Sequence, residues 1–165
     1  MRKEFAKVMV ELAEKDPKIF LVILDVGGNT FSEFKERFPD RFYNLGVSEQ
    51  ATISFLSGLA LEWFKPYVYS IAPFVLERPF EQLKLDVVQQ NANVKIFGFW
   101  DYPTAGPTHK PLDVKKECEV LGLEMIEPVN SSELREKMID KYNENKPCFF
   151  YIKRNPEWIR KLGKN

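Results

Sequence analysis

The amino-acid sequence predicts an α/β fold: a doubly wound, mainly parallel sheet with helices on both faces. Segments with the apolar pattern of strands alternate along the chain with segments of helical periodicity, as they do in successive βαβ units. Residues 19–24 are apolar without a break, which is typical of a parallel strand covered on both sides. The chain has 165 residues, a length that suits one domain with its own hydrophobic core.

The first half of the chain contains three predicted helices and two predicted strands. Apolar residues at helical spacing indicate an opening helix, which Asp16 and Pro17 end. The apolar strand comes next, and Gly27 and Gly28 end it in a turn. Ser48 or its neighbour is the predicted N-cap of the third helix. In order, the predicted elements are a helix at 5–13, a strand at 19–26, a helix at 32–38, a strand at 42–45 and a helix at 48–63.

The second half continues the same alternation and adds a loop at 100–110 that is rich in proline and glycine. The predicted strands lie at 67–71, 94–99, 125–129 and 148–152, and the predicted helices lie at 78–90, 112–121 and 132–142. No repeat, low-complexity tract or long linker divides the sequence. We therefore predict one domain at residues 1–155, followed by a C-terminal tail at 156–165.

Charge and composition argue against several classes of function. The 24 Lys and Arg residues balance the 24 Asp and Glu residues, so we expect binding to neither nucleic acid nor a membrane surface. The longest apolar run is far too short to cross a bilayer.

Cys118 and Cys148 lack the spacing of a metal site, and no secretory leader precedes them, so they predict reduced thiols in a cytoplasmic protein. Aromatic residues make up 14% of the chain, which indicates a large core, a partner surface or both.

Three segments follow predicted strands and should meet at one edge of the sheet. They are the turn at Gly27, the turn at Gly46 and the loop that ends at His109. In an open parallel sheet, ligands bind just beyond the carboxyl ends of the strands. The sequence therefore predicts that the functional site lies where these segments come together.

The motifs in these segments resemble those of a known family. The sequence reads Phe-Pro-Asp-Arg-Phe at 38–42, Tyr-Asn-Leu-Gly-Val-Ser-Glu-Gln at 43–50 and Gly-Pro-Thr-His at 106–109. Together they resemble the pyrimidine-binding domain of the transketolase family. The resemblance implies a thiamine diphosphate-binding fold and an enzyme that uses thiamine diphosphate and Mg²⁺.

Glu49 is the residue on which this interpretation depends most. Taken alone, a glutamate at the start of a helix is explained by its favourable interaction with the helix dipole. The resemblance implies instead that Glu49 contacts the pyrimidine N1′ atom of the cofactor and drives the proton relay that activates it. Desolvation raises the pKa of a carboxyl group, so an apolar cleft keeps such a proton exchange feasible near neutral pH. Gly46 is expected to keep the approach to the cofactor ring open.

The resemblance also implies roles for five further residues. Phe74 is the predicted stacking partner of the pyrimidine ring, and Phe80 is a second choice. His109 is the single histidine in the sequence, and it is expected to hydrogen-bond to the reacting substrate. Arg2 and Arg154 occupy positions where family members hold a sugar phosphate, a role that suits the guanidinium group.

Two positions depart from the transketolase pattern. Ala105 stands where transketolases usually carry an aspartate that contacts a substrate hydroxyl, and Phe97 falls where some members place a phosphate-binding histidine. The ordinary pentose phosphate substrates therefore do not follow from the resemblance. A less phosphorylated, deoxy or branched sugar remains an alternative.

The sequence lacks the Gly-Asp-Gly motif with a downstream asparagine that usually holds Mg²⁺ and the diphosphate. The resemblance therefore implies a separate diphosphate-binding subunit in an α2β2 assembly, which acts on a sugar or sugar phosphate. The expected reaction is transfer of a two-carbon ketol unit between sugars. The alternatives are a subunit like that of deoxyxylulose phosphate synthase, a 2-oxoacid dehydrogenase β-like subunit, or a noncatalytic module that stabilises a partner.

Overall fold

A computed structural model of the chain describes residues 1–100 and 105–153. In these residues, six strands form one sheet in which all neighbouring strands are parallel. The strands are β1 (Ile19–Ile23), β2 (Phe42–Asn44), β3 (Lys65–Ile71), β4 (Lys95–Phe99), β5 (Glu124–Ile126) and β6 (Cys148–Ile152). Their order across the sheet is β2-β1-β3-β4-β6-β5. The chain thus winds outward in both directions from the boundary between β1 and β3, which confirms the predicted doubly wound fold.

Helices cover both faces of the sheet, as the sequence predicts. They are α1 (Arg2–Lys15), α2 (Ser32–Arg37), α3 (Glu49–Leu61), α4 (Ala72–Val75), α5 (Phe80–Gln82), α6 (Val114–Leu121) and α7 (Ser131–Tyr142). Buried residues of α1, α2 and α7 share one core cluster, and those of α3 and α6 share the other. The predicted helix at 78–90 begins at Phe80 and continues as a wider π-helical segment, Leu83–Val88.

Stacked aromatic rings fill the core on the α1 side of the sheet. The ring centroid of Phe97 lies 4.3 Å from that of Phe5 and 4.4 Å from that of Phe150. All three side chains are fully buried. Phe97 therefore contributes to packing between the sheet and α1, and its ring does not reach the surface to take the place of a phosphate-binding residue.

Two strands end well before the residue that the sequence pattern predicts, and each has a local cause. β1 ends at Ile23 instead of continuing to residue 26, because Asp25 takes a left-handed backbone conformation with a φ of 53°. β5 spans Glu124–Ile126, whereas the prediction was 125–129. Pro128 has no N–H group to donate to the ladder, so the strand stops before it.

Both cysteines are buried free thiols, Cys118 in α6 and Cys148 in β6. Burial raises the pKa of each thiol to about 12, so neither forms an appreciable fraction of thiolate at neutral pH. Among the helices of the described residues, none combines the length and apolar composition that a membrane span requires.

Candidate active site

The carboxyl ends of the parallel strands all lie at one edge of the sheet, and Glu49 lies beside that edge at the start of α3. The short segment between β2 and α3 is held by Ser48, whose hydroxyl group donates a 2.7 Å hydrogen bond to the carbonyl oxygen of Leu45. Ser48 Oγ also lies 3.2 Å from Thr52 Oγ1 in the first turn of the helix. The Glu49 residue that follows is only 7% exposed.

Asn44 connects the ends of β1 and β2. Its Oδ1 atom accepts hydrogen bonds from the backbone N–H groups of Asp25 and Gly46, each at 3.1 Å. Gly46 has a φ of 64°, a conformation that favours glycine, and no atom lies within 4 Å of the place that a Cβ atom would occupy. The space beside Gly46 is therefore open.

The buried carboxylate of Glu49 is paired with Arg78, which lies between α4 and α5. Nη1 of Arg78 donates a 2.6 Å hydrogen bond to Oε1 of Glu49. The Arg78 side chain is 38% exposed, whereas the Glu49 side chain is 8% exposed, so the guanidinium group covers the carboxylate from the solvent side. A buried carboxylate is costly unless it is paired and hydrogen-bonded, and Arg78 meets that requirement.

Phe74 is placed by α4, which follows directly from the end of β3. The helix packs closely on β4 because Gly98 has no side chain. A Cβ atom at Gly98 would lie 3.1 Å from the Cα atom of Ala72 and 2.3 Å from the ring of Phe149. Phe74 itself is 9% exposed, and the guanidinium carbon of Arg78 lies 3.7 Å from its ring centroid.

His109 ends a single turn of 3-10 helix, Pro107–His109. Its ring meets the Phe74 ring nearly edge to face, with the centroids 4.9 Å apart and an interplanar angle of 66°. Nδ1 of His109 and Oγ1 of Thr108 are 3.0 Å apart and share a hydrogen bond. Glu49, Arg78, Phe74 and His109 thus form a continuous series of contacts across the carboxyl edge of the sheet.

The remaining predicted residues lie in three different situations. Arg2 begins α1, and its guanidinium carbon lies 3.5 Å from the ring centroid of Phe99, the last residue of β4, so Arg2 lies at the same edge of the sheet. Phe80 is half-buried and packs against the core on the α3 side. Arg154 falls outside the residues that the structure describes.

Sequence reasoning missed Arg78 and Asn44. Arg78 follows the predicted stacking residue Phe74 closely in the sequence, and this was the only local signal for it. No feature of the neighbouring sequence indicates that Arg78 contacts Glu49. Asn44 carried a clearer signal, because an asparagine that ends a strand two residues before a glycine often hydrogen-bonds to the following backbone.

The described residues fit the aminopyrimidine half of thiamine diphosphate. That group is a flat ring with a nitrogen at its edge. Phe74 supplies an aromatic face and Glu49 a buried carboxylate, and both contact the guanidinium group of Arg78. Within residues 1–100 and 105–153, no three or more His, Cys, Asp and Glu side chains are grouped as metal ligands would be. The chemistry of Phe74 and Glu49 thus suits the aminopyrimidine.

Residues 1–156 match the family "Transketolase, pyrimidine binding domain". The chain is 35% identical over 139 residues to 1-deoxy-D-xylulose-5-phosphate synthase of Chlorobium luteolum, a match that covers 81% of this chain and 22% of that protein. It is 32% identical over 139 residues to one of the subunits of apulose-4-phosphate transketolase from Phocaeicola vulgatus, with 81% of this chain and 45% of that one covered. The chain therefore spans less than half the length of these relatives.

Solved structures show the same fold. A split-gene transketolase, described as an inactive β4 tetramer, superposes with a TM-score of 0.83 at 25% identity, over 93% of this chain and 51% of that one. Transketolase from Campylobacter jejuni superposes with a TM-score of 0.80 at 17% identity, over 93% and 25%. The sequence match spans nearly the whole chain, and this protein belongs to the transketolase family through its pyrimidine-binding domain.

Proposed function

We propose that this chain is the pyrimidine-binding subunit of a split, thiamine diphosphate-dependent enzyme that transfers a two-carbon ketol unit between sugars. The observation that carries the proposal is that the buried carboxylate of Glu49 and the ring of Phe74 both contact the guanidinium group of Arg78, at the carboxyl edge of a parallel sheet. A buried carboxylate next to an aromatic face suits the aminopyrimidine of the cofactor. Membership of the transketolase family supports the same cofactor.

The protein contributes binding and proton control. When bound, thiamine diphosphate supplies the nucleophilic carbon and the electron sink for carbon–carbon cleavage. Glu49 hydrogen-bonds to pyrimidine N1′ and holds or releases the proton there, and its burial keeps water away from that exchange. Phe74 stacks on the pyrimidine ring, and Phe80 supports the core beneath α5. Gly46 leaves the approach to the ring open.

Residues at the rim of the site would hold the substrate. His109 hydrogen-bonds to a substrate carbonyl or hydroxyl oxygen where charge develops, and its contact with Phe74 places it close to the cofactor ring. Arg2, together with Arg154, binds the phosphate of a phosphorylated sugar. Mg²⁺ and the diphosphate are held mainly by a partner subunit.

The surface of α3 supports an obligate partner. Apolar side chains remain exposed along this helix and the segment before it, including Val47, Phe55 and Leu61. A helix with apolar residues on its outer as well as its inner face is usually buried on both sides. Because Glu49 begins α3, a subunit that covers this surface would also close the site to water. The assembly is an α2β2 heterotetramer in which residues 1–155 form the domain and 156–165 a tail.

Reconstitution with a diphosphate-binding chain tests this function. The wild-type pair should transfer a ketol unit from a ketose to an aldose in the presence of thiamine diphosphate and Mg²⁺. The Glu49→Gln pair should lose at least about 100-fold in kcat, because the amide cannot carry the proton, while still assembling. The Glu33→Gln variant is the matched control, since Glu33 also pairs with an arginine but lies on the surface of α2. Turnover that survives Glu49→Gln would show that the chain is a noncatalytic, partner-stabilising module.

A second candidate reaction is a condensation that begins with decarboxylation of pyruvate. The 35% identity to a 1-deoxy-D-xylulose-5-phosphate synthase favours this alternative. Product analysis of the same reconstituted pair separates the two, because a ketose donor supports ketol transfer and a pyruvate donor releases carbon dioxide. Release of carbon dioxide without transfer from any ketose would replace the transketolase assignment.

A further inference from the structure

The guanidinium group of Arg78 makes two contacts at once, and both are with residues that the proposed function assigns to the cofactor. Nη1 lies 2.6 Å from Oε1 of Glu49, and the guanidinium carbon lies 3.7 Å from the ring centroid of Phe74. Arg78 therefore bridges the carboxylate and the aromatic face that the aminopyrimidine needs.

A guanidinium group and a protonated aminopyrimidine offer the same recognition chemistry. Each is flat and positively charged, each donates N–H hydrogen bonds from its edge to a carboxylate, and each stacks on an aromatic ring. We infer that Arg78 occupies the aminopyrimidine position in the unliganded chain, and that cofactor binding exchanges one cation for the other. This inference rests on the proposed function and adds a positioning residue that controls access to Glu49.

The burial of Glu49 and Phe74 makes the exchange necessary. Glu49 is 7% exposed and Phe74 is 9% exposed with Arg78 in place, so no ring-sized surface on either residue is open to an incoming ligand. The aminopyrimidine can reach Glu49 and Phe74 only after the guanidinium group leaves them.

Of Glu49, Phe74 and Arg78, Arg78 is the residue whose side chain can move. Glu49 is the first residue of α3 and Phe74 lies within α4, so the backbone of each is held by a helix. Arg78 lies outside both α4 and α5, and its side chain is 38% exposed at the end of a long flexible stem. Rotation of that stem into solvent frees both groups without moving a helix.

In the chain without cofactor, the contact between Arg78 and Glu49 stabilises the fold. An unpaired buried carboxylate would destabilise the fold, and Arg78 supplies a partner until the cofactor does. The consequence is weaker cofactor binding, since part of the binding free energy is used to displace an internal cation. Removal of Arg78 should therefore strengthen binding of an aminopyrimidine.

Thiamine binding to the full chain tests the exchange. We expect Arg78→Met to bind thiamine about tenfold more tightly than the wild type, because methionine keeps an apolar stem but offers no hydrogen bond to Glu49. Arg78→Lys should lie between the two, because lysine keeps the charge but lacks the planar fork. Arg37→Met is the matched control, since Arg37 also pairs with Glu14 and lies over the Phe38 ring, away from the site. It should bind thiamine as the wild type does.

Salt dependence gives a readout that a purely structural role would not change. Thiamine is a cation, so its binding to Glu49 in Arg78→Met should weaken as salt screens the attraction. In the wild type one cation replaces another at the same carboxylate, and binding should change little with salt. Equal salt dependence in the two proteins would overturn the exchange.

An NMR measurement on the wild type covers the case in which Arg78→Met fails to fold. The guanidinium resonances of Arg78, assigned by their loss in Arg78→Lys, should shift toward those of a solvent-exposed arginine as thiamine is added. An unchanged Arg78 signal at saturating thiamine would overturn the exchange, as would unchanged or weaker binding by a folded Arg78→Met chain, or no thiamine binding by either protein. These failures leave the proposed function standing if Glu49→Gln still abolishes turnover of the reconstituted enzyme.

Discussion

The rings of Phe74 and His109 meet nearly edge to face, with their centroids 4.9 Å apart, although one follows β3 and the other follows β4. This contact joins the predicted stacking residue to the predicted substrate residue. It also gives the His109 ring a defined orientation, which the shared hydrogen bond with Thr108 supports. Since His109 is the predicted substrate residue, a change there should affect turnover of the substrate more than binding of the cofactor.

We expect His109→Phe, which keeps a ring but has no hydrogen-bond donor, to lower kcat of the reconstituted enzyme by roughly 100-fold. That is the size of effect found when one hydrogen-bond donor to a developing charge is removed. The affinity for thiamine diphosphate should change little, because Glu49 and Phe74 remain. Steady-state kinetics and cofactor titration measure the two quantities separately. Thr108→Val is the comparison variant, since it removes only the hydroxyl group that lies 3.0 Å from Nδ1, and it should lower kcat much less than the change at His109. A large loss of cofactor affinity with unchanged kcat would place His109 at the cofactor instead.

Gly98 allows α4 to pack on β4, and we expect Gly98→Ala to be destabilising. A Cβ atom there would lie 2.3 Å from the Phe149 ring and 3.1 Å from the Ala72 Cα atom, so both must shift. Overpacking of this kind costs about 1–3 kcal/mol in the free energy of unfolding. Urea denaturation measures it. Gly28→Ala should be nearly neutral, because nothing lies within 4 Å of that position.

Gly98→Ala should also weaken thiamine binding, because α4 carries Phe74. If Gly98→Ala lowers stability but leaves thiamine affinity unchanged, Phe74 does not depend on the close contact between α4 and β4.

Phe55 tests the partner surface on α3. The side chain is 46% exposed, and Phe55→Asp would place a charge in the interface, where it would have no partner. We expect this variant to fold normally and to lose association with the diphosphate-binding chain by at least about tenfold. Analytical ultracentrifugation of the mixed chains measures the effect.

Val120→Asp is the matched control for that experiment. Val120 is 78% exposed on α6, so the substitution adds the same charge to an exposed apolar position on a different helix. Association should be unchanged. Loss of association in both variants would mean that the interface is not confined to α3.

Glu117 should make the stability of the chain depend on pH. Burial, together with the charges of Glu77 and Asp113, raises the pKa of Glu117 from 4.5 to about 7. The folded state therefore binds more protons than the unfolded state between these values. The contribution of Glu117 to stability is fully present below about pH 4.5 and is lost as the pH rises through 7.

Glu117→Gln removes this titration. The variant should be more stable than the wild type at pH 8 by about 1 kcal/mol, because partial solvent exposure reduces the effect below its full value. At pH 5 the two proteins should have similar stability. Urea midpoints at both pH values measure the difference. An equal gain at pH 5 and pH 8 for Glu117→Gln would contradict the titration.

The sequence by itself determined the fold class and the family. The apolar run at 19–24 and the regular alternation of strands and helices are local patterns, and they were sufficient to predict a doubly wound parallel sheet. The motifs around Glu49 and His109 indicated the family, which the match over residues 1–156 confirms. Residue roles remain predictions, since they depend on the bound cofactor and substrate.

Only the tertiary structure decided which side chains meet. It placed Arg78 against Glu49, put Phe97 in the core and brought Asn44 to the backbone of Asp25. Periodicity and motifs are properties of neighbouring residues, so a sequence displays them directly. Contacts between the ends of different strands depend on where the crossovers return each strand and on which side chains then fit together, and that information is spread over the whole chain.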